Sequence, residues 1–339
     1  MNNHTELFRS LLAENPALEK VTELYPYRTT PYYESLVNKD NISEDPVFKQ
    51  FFPDLQERDE QSAFQLDDPL CEEAQMPVKH LIHRYNDRAV LLTTNACAVF
   101  CRFCMRKRKW QNNQQTTKIT EEELASVVSY LHAHSEIREL LISGGDPLML
   151  TDRELQTILN AVSKVSSLQI LRIGTRIPVV LPSRVDEDLA ELFAGFRGLW
   201  VATHFNHPNE LTHQALKACS LFINKGVPVV NQTVLLKGIN DNFQVLEKLF
   251  STLAANRIKP LYLFHIDPVA GNEHFATGIE KGKEIMEALR NRISSIATPV
   301  FAIDLPDGEG KVPITPDYTE DNNTFKGLSG KFIKYIKKP

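Results

Sequence analysis

Cys97-Ala98-Val99-Phe100-Cys101-Arg102-Phe103-Cys104 carries three of the chain's five cysteines in the spacing C-x3-C-x2-C. It directly follows the apolar run Ala89 to Thr94, so the thiols sit where a strand gives way to a loop. Three close thiolates with no fourth Cys or His nearby suit three irons of a 4Fe-4S cluster and leave the fourth iron open to a ligand. The competing reading is structural zinc, which is four-coordinate and closes with a second C-x2-C or an H-x3-H. Cys71 and Cys219 stand alone, and His80 and His83 precede the strand, so the cluster is favoured.

Outward from the cysteines, apolar strands alternate with amphipathic helices. Expected strands are Ala89 to Thr94, Glu139 to Ser143, Gln169 to Ile173, Leu199 to Thr203, Val229 to Leu235 and Leu261 to Ile266. Helices are expected near Glu121 to His132, Asp152 to Val165, Asp186 to Phe193, Glu210 to Asn224, Asn242 to Asn256 and Glu280 to Ile293. Six β/α units in a row predict an α/β fold with a parallel sheet, open or barrel-like. A further apolar run, Pro299 to Ile303, precedes a C-terminal segment, and the expected divisions are 1–80, 81–298 and 299–339. Residues 1–80, chopped by prolines, read as a mostly helical scaffold or oligomerisation arm without a catalytic motif, which leaves room for a homo-oligomer.

At 42% hydrophobic and 24% charged, the 339 residues have ordinary globular composition. A net charge of -5 argues against a general nucleic-acid surface. The exception is the basic run Arg106-Lys107-Arg108-Lys109, read either as a solvated helix start or as a holder of an anionic substrate group. There is no apolar leader at Met1 and no run of about eighteen apolar residues, so a cytoplasmic protein without a membrane span is expected.

The unusual polar motifs fall at strand ends. Ser143-Gly144-Gly145-Asp146-Pro147, Gly174-Thr175-Arg176, Thr203-His204-Phe205-Asn206-His207 and His265-Ile266-Asp267 join the cysteines on one rim, where a β/α barrel builds its active site. Each alone has a plainer reading. Gly-Gly-Asp suits a turn with Asp146 as a cap, His204 and His207 suit satisfied hydrogen bonding, and Asn231 and Gln232 suit amides buried in a strand.

Taken in order, CAVFCRFCMRKR, LISGGDPLML, LRIGTRIPVVLPSR, THFNHPNE, VVNQTVLLKGIND and FAIDLPDGEGK, preceded by HRYNDRAVLL, resemble the lysine 2,3-aminomutase family of radical SAM enzymes over roughly residues 70 to 318. The resemblance implies a partial (β/α)6 barrel with a 4Fe-4S cluster on Cys97, Cys101 and Cys104. It places S-adenosyl-L-methionine on the open iron near Gly144, Gly145 and Asp146, with His204 and Gln232 around it. Pyridoxal 5'-phosphate is implied as the second cofactor, carried on Lys311, with Arg84, Arg88 and Arg176 as anion contacts. Arg106 matches the residue that holds the substrate carboxylate, and a reducing donor such as flavodoxin or ferredoxin is implied as partner.

By itself Lys311 would read as a surface lysine in a turn. As a cofactor-anchoring amine it should have a depressed pKa, which requires the nearby Asp307 and Glu309 to point away. Asp267 and Asp304 stand where the family's lysine enzymes bind the distal ammonium, so L-lysine to β-lysine is the expected reaction, with arginine or ornithine as cationic alternatives. The same pair would repel glutamate. The short form resembles the branch that supplies β-lysine for elongation factor P, although that branch typically lacks the aspartate matched by Asp304. Asn242 replaces a zinc-binding cysteine of the longer enzymes, so intersubunit zinc is not expected, and Phe264 replaces a usual tyrosine beside pyridoxal phosphate.

Overall fold

The runs that alternate after residue 88 are short and apolar, and a segment of that kind is stable when both sheet faces are covered. A computed structural model of the chain describes residues 3–109 and 116–335. Among the described residues the main sheet has nine strands in sequence order: β1 Leu81–Tyr85, β2 Arg88–Leu92, β3 Glu139–Ser143, β4 Ile170–Gly174, β5 Leu199–Thr203, β6 Val229–Leu235, β7 Ile258–His265, β8 Val300–Leu305 and β9 Gly310–Pro313. Strands β2 to β8 pair in parallel, while β1 and β9 pair antiparallel at the two ends. The Pro299 to Ile303 run therefore extends the expected partial barrel with another parallel strand.

Spatial order equals chain order because every crossover carries a helix back along the same outer side. Helices Glu121–Ala133, Asp152–Val162, Glu187–Ala194, His213–Asn224, Phe243–Ala255 and Ile279–Arg290 form that layer. Their starts are written locally: Thr120 and Thr151 make capping boxes with Glu123 and Glu154, and Asp186 and Thr212 cap theirs. Asn242 caps Phe243–Ala255 by accepting the Gln244 N–H at 2.8 Å, so this position has a helix-start role here. The two sheet edges meet where the Lys311 N–H of β9 donates to the Tyr85 hydroxyl of β1 at 2.7 Å, which nearly closes the barrel.

The N-terminal region has helices Asn3–Ala13 and Pro16–Leu24, then single helical turns at Pro31–Glu34 and Phe48–Phe51. Phe8, Phe51 and Tyr33 are buried together, with Phe8–Phe51 and Tyr33–Phe51 ring centroids 5.6 and 5.5 Å apart. This region is bonded to the cysteine loop: the Phe100 and Arg102 N–H groups donate to the carbonyls of Arg28 and Gln50, both at 2.9 Å. A small antiparallel sheet of Thr319–Asp321, Thr324–Lys326 and Phe332–Lys334 follows the barrel. Among the described residues no helix is long and apolar enough to cross a membrane.

Candidate active site

The cysteine loop is held by the turn after β3. Gly144 has φ +139°, and a Cβ on Gly144 or Gly145 would collide with the carbonyls of Thr94 and Ala96, so only glycine lets the two loops approach. The Asp146 N–H closes the contact by donating to Ala96 O at 2.7 Å. The buried Asp146 carboxylate accepts from Leu148 N at 3.0 Å, Thr175 Oγ1 at 2.7 Å and Arg176 N at 2.7 Å. It thus ties the ends of β3 and β4 together, in agreement with the plain turn-and-cap reading.

Burial pushes the Cys97 thiol well up, aided by Asp146 and the other two sulfurs, and pushes Cys104 up to about 11 with help from Cys101. Thiolates crowded on one loop repel one another, and positive charge such as bound iron would favour their ionised form. Arg176 Nη1 lies 2.8 Å from Cys101 Sγ. Its Nη2 donates to Tyr33 Oη at 2.9 Å and to the fully buried Glu210 at 2.7 Å, and also to Gln50 Oε1. Arg176, expected among the anion contacts, therefore meets a sulfur and a carboxylate at the cluster end. Burial, then the Arg176 charge, holds His204 at about 3, a neutral ring bonded to Asn206 Oδ1 at 3.1 Å.

The other end of the site is built on β7 to β9. Antiparallel pairing sets Asp304 opposite Lys311, and Lys311 Nζ donates to Asp304 Oδ2 at 2.6 Å. The amine lies 4.0 Å from the Phe264 ring centroid, and Phe264 stacks on Tyr262 with centroids 4.9 Å apart. Burial lowers the Lys311 pKa and the Asp304 and Asp267 carboxylates oppose that shift. Asp307 Oδ1 lies 4.0 Å from Cys71 Sγ, and the Asp307 backbone N–H donates to Pro69 O at 2.8 Å. Asp267 is pushed up to about 7, first by burial and then by Asp304. Gln232 is in register with Tyr262 and shares its sheet face.

Arg84 donates to Gln75 Oε1 at 2.7 Å and Leu70 O at 2.8 Å, close enough to Lys311 for its charge to be felt there. Arg88 starts β2 with its guanidinium 4.1 Å from the Tyr85 ring centroid and its side chain 44% exposed. Arg106 gives its Nε and Nη2 to Glu72, at 3.0 and 2.7 Å, and its Nη1 lies 3.4 Å from Ser143 Oγ.

Three carboxylates that sequence reasoning passed over organise this centre: Glu57, Glu72 and Glu210, each buried. Glu57 accepts from Arg102 Nη2 at 2.6 Å and Lys107 Nζ at 2.8 Å, so Lys107 is fully buried rather than part of a solvated helix start. The only local signal was the density of cations around the cysteines, which a buried loop must neutralise. The plain readings of His207 and Asn231 fit: His207 Nδ1 accepts from Asn209 N, and Asn231 bonds the Phe205 backbone.

Among the described residues no three His, Cys, Asp or Glu side chains converge as ligands of one metal ion. A cluster spreads its three thiolates over three iron corners instead. A model of the radical SAM superfamily matches residues 91–249. Over 329 residues the chain is 43% identical to a putative L-lysine 2,3-aminomutase of Aquifex aeolicus (strain VF5), covering 95% of this chain and 87% of that protein. The chain belongs to the lysine 2,3-aminomutase family. It is also 36% identical to an L-lysine 2,3-aminomutase of Methanococcus maripaludis, over 95% of this chain and 75% of that protein. A glutamate 2,3-aminomutase of Clostridioides difficile is 34% identical, over 96% of this chain and 77% of that protein. This aminomutase-family chain uses a 4Fe-4S cluster, S-adenosylmethionine and pyridoxal 5'-phosphate. The three neighbouring, half-buried thiols suit the first, and the half-desolvated Lys311 amine against the Phe264 ring suits the last.

Proposed function

We propose that this protein interconverts L-lysine and β-lysine as a radical SAM, pyridoxal-phosphate-dependent 2,3-aminomutase. The observation that carries the substrate choice is the juxtaposition of Asp267 and Asp304 beside Lys311. Burial and the neighbouring Asp304 carboxylate raise the cost of ionising Asp267, and a cation beside it offsets that cost. The distal ammonium of lysine meets this need, whereas the carboxylate of glutamate adds a third negative charge.

When bound, the cluster with S-adenosylmethionine supplies hydrogen abstraction, and pyridoxal phosphate carries the migrating nitrogen. In this reading Cys97, Cys101 and Cys104 hold the irons while Arg176 steadies the Cys101 sulfur. The backbone at Gly144 and Gly145, with His204 and Gln232, flanks S-adenosylmethionine, the carboxylate of Asp146 being engaged by the fold. Arg106 binds the α-carboxylate, and Arg84 and Arg88 serve the phosphate. Asp304 changes partner: it neutralises Lys311 while that amine holds its proton and turns to the substrate ammonium when Lys311 gives the charge up. Tyr262 and Phe264 keep water from that exchange. Residues 1–80 brace the cluster loop from behind, and a flavodoxin- or ferredoxin-like donor in the cytoplasm supplies the electron.

Anaerobically reconstituted protein given S-adenosylmethionine, pyridoxal phosphate and a reductant should convert L-lysine to β-lysine and leave L-glutamate unchanged. Turnover of L-ornithine or L-arginine in preference to L-lysine would reassign the substrate within the cationic class. Absence of any product with iron and pyridoxal both bound would sink the reading.

A further inference from the structure

Residues 67–75 run between the cysteine loop and the Lys311 turn and are bonded to both. Pro69 O accepts the Asp307 N–H at 2.8 Å, and Leu70 O and Gln75 Oε1 accept from Arg84. Glu72, 3% exposed, lies at the centre of this strap. Its two oxygens take Arg106 Nε at 3.1 and 3.0 Å and Nη2 at 2.7 Å, and its Oε2 also accepts from Arg108 Nη2 at 3.0 Å. Arg108 is held in turn by Asp68 at 3.1 Å.

A guanidinium has two useful edges for a carboxylate. Glu72 occupies the Nε/Nη2 edge and leaves Nη1 on the side of Ser143, at the end of β3. A second carboxylate also attracts this arginine, because Asp267 and Arg106 each feel the other's charge. Attraction falls with distance and hydrogen bonds add to it, so the bidentate partner holds the flexible side chain. Despite burial, Arg106 and then Arg108 keep Glu72 ionised, at about 2.

We infer that Glu72 is a positioning residue for substrate recognition: its grip aims the Nη1 side of Arg106 at the α-carboxylate and keeps that cation off Asp267. The anion site and the cation site for one zwitterionic amino acid thereby stay apart. The inference rests on the reading of Arg106 as the carboxylate contact. An alternative role, in which Glu72 occupies the carboxylate's place and must be displaced, predicts the opposite change in affinity.

The test uses anaerobic holoenzyme without reductant, so that nothing turns over, at matched iron and pyridoxal content. Ligand binding is read from the pyridoxal absorption during titration with L-lysine and with 1,5-diaminopentane, which has both amines and no carboxylate. Glu72→Gln should weaken both ligands about tenfold or more, since the released Arg106 swings to Asp267. Adding Arg106→Met should restore 1,5-diaminopentane to within about twofold of the parent while L-lysine stays weak. Glu72→Asp, which keeps the charge but shortens the reach, should give the same pattern at smaller size. Unchanged or tighter L-lysine binding in Glu72→Gln would overturn the role, as would failure of Arg106→Met to restore the diamine. Unchanged L-lysine binding in Arg106→Met alone would instead remove the reading of Arg106 on which the role depends.

Discussion

Burial and the Asp304 carboxylate hold the Asp267 carboxyl near 7, so much of it is protonated in neutral solution before a cation arrives. Only the ionised form attracts an ammonium strongly, which makes lysine binding weaken as pH falls through about 7 and level off above it. In the same ligand-free protein the raised pKa means that stability from this group is present at low pH and lost as pH rises through about 7. Asp267→Asn should flatten the pH dependence of KM for L-lysine between pH 6 and pH 8, as steady-state kinetics would show. Asp304 carries a different load because it also neutralises Lys311 at 2.6 Å. Asp304→Ala should cost about 1.5 to 3 kcal/mol in kcat/KM for lysine, roughly ten- to a hundredfold. Activity within a factor of two would contradict the shared role.

At the scale of the element, the cysteine loop depends on groups behind it. Glu57 is fully buried with Arg102 and Lys107, and although burial works against ionisation the two cations hold it down at about 2. Replacing it by Gln strands two buried cations, so Glu57→Gln should lose about 3 to 5 kcal/mol of stability in denaturant unfolding. Iron retention should fall with it, because Arg102 lies between two of the cysteines. Gly144→Ala acts from the other side of the loop. Its φ of +139° and the nearby Thr94 carbonyl leave no room for a methyl, so iron bound per chain after reconstitution should drop while the barrel's far-UV signature persists.

The whole molecule enters through closure of the barrel. The Lys311 N–H reaches across from the last strand to the Tyr85 hydroxyl of the first, so the amine's backbone is positioned by the seam. Tyr85→Phe should cost about 1 kcal/mol of stability, and the cofactor should dissociate faster on dilution, followed by its absorption.

What could be read along the chain was what is decided locally. The C-x3-C-x2-C spacing, the alternation of apolar runs with capped helices, and the rim of polar strand ends all express periodicity and turn chemistry within a few residues. β1 and β9 escaped because they are antiparallel edge strands outside the β/α alternation, and the three buried glutamates escaped because their partners lie far along the chain. Glu57 becomes a counter-ion for the cluster loop only when the N-terminal region packs behind it, and Glu72 holds Arg106 only because its strap crosses the site. Asp304 meets Lys311 through antiparallel register across a turn that the sequence alone reads as surface. The sequence by itself determined which chemistry the chain can hold, since cluster ligands and barrel units are local patterns. Tertiary structure alone decided which charge faces which, because pairing of buried ions depends on strand register and desolvation, and neither is a property of neighbours in the chain.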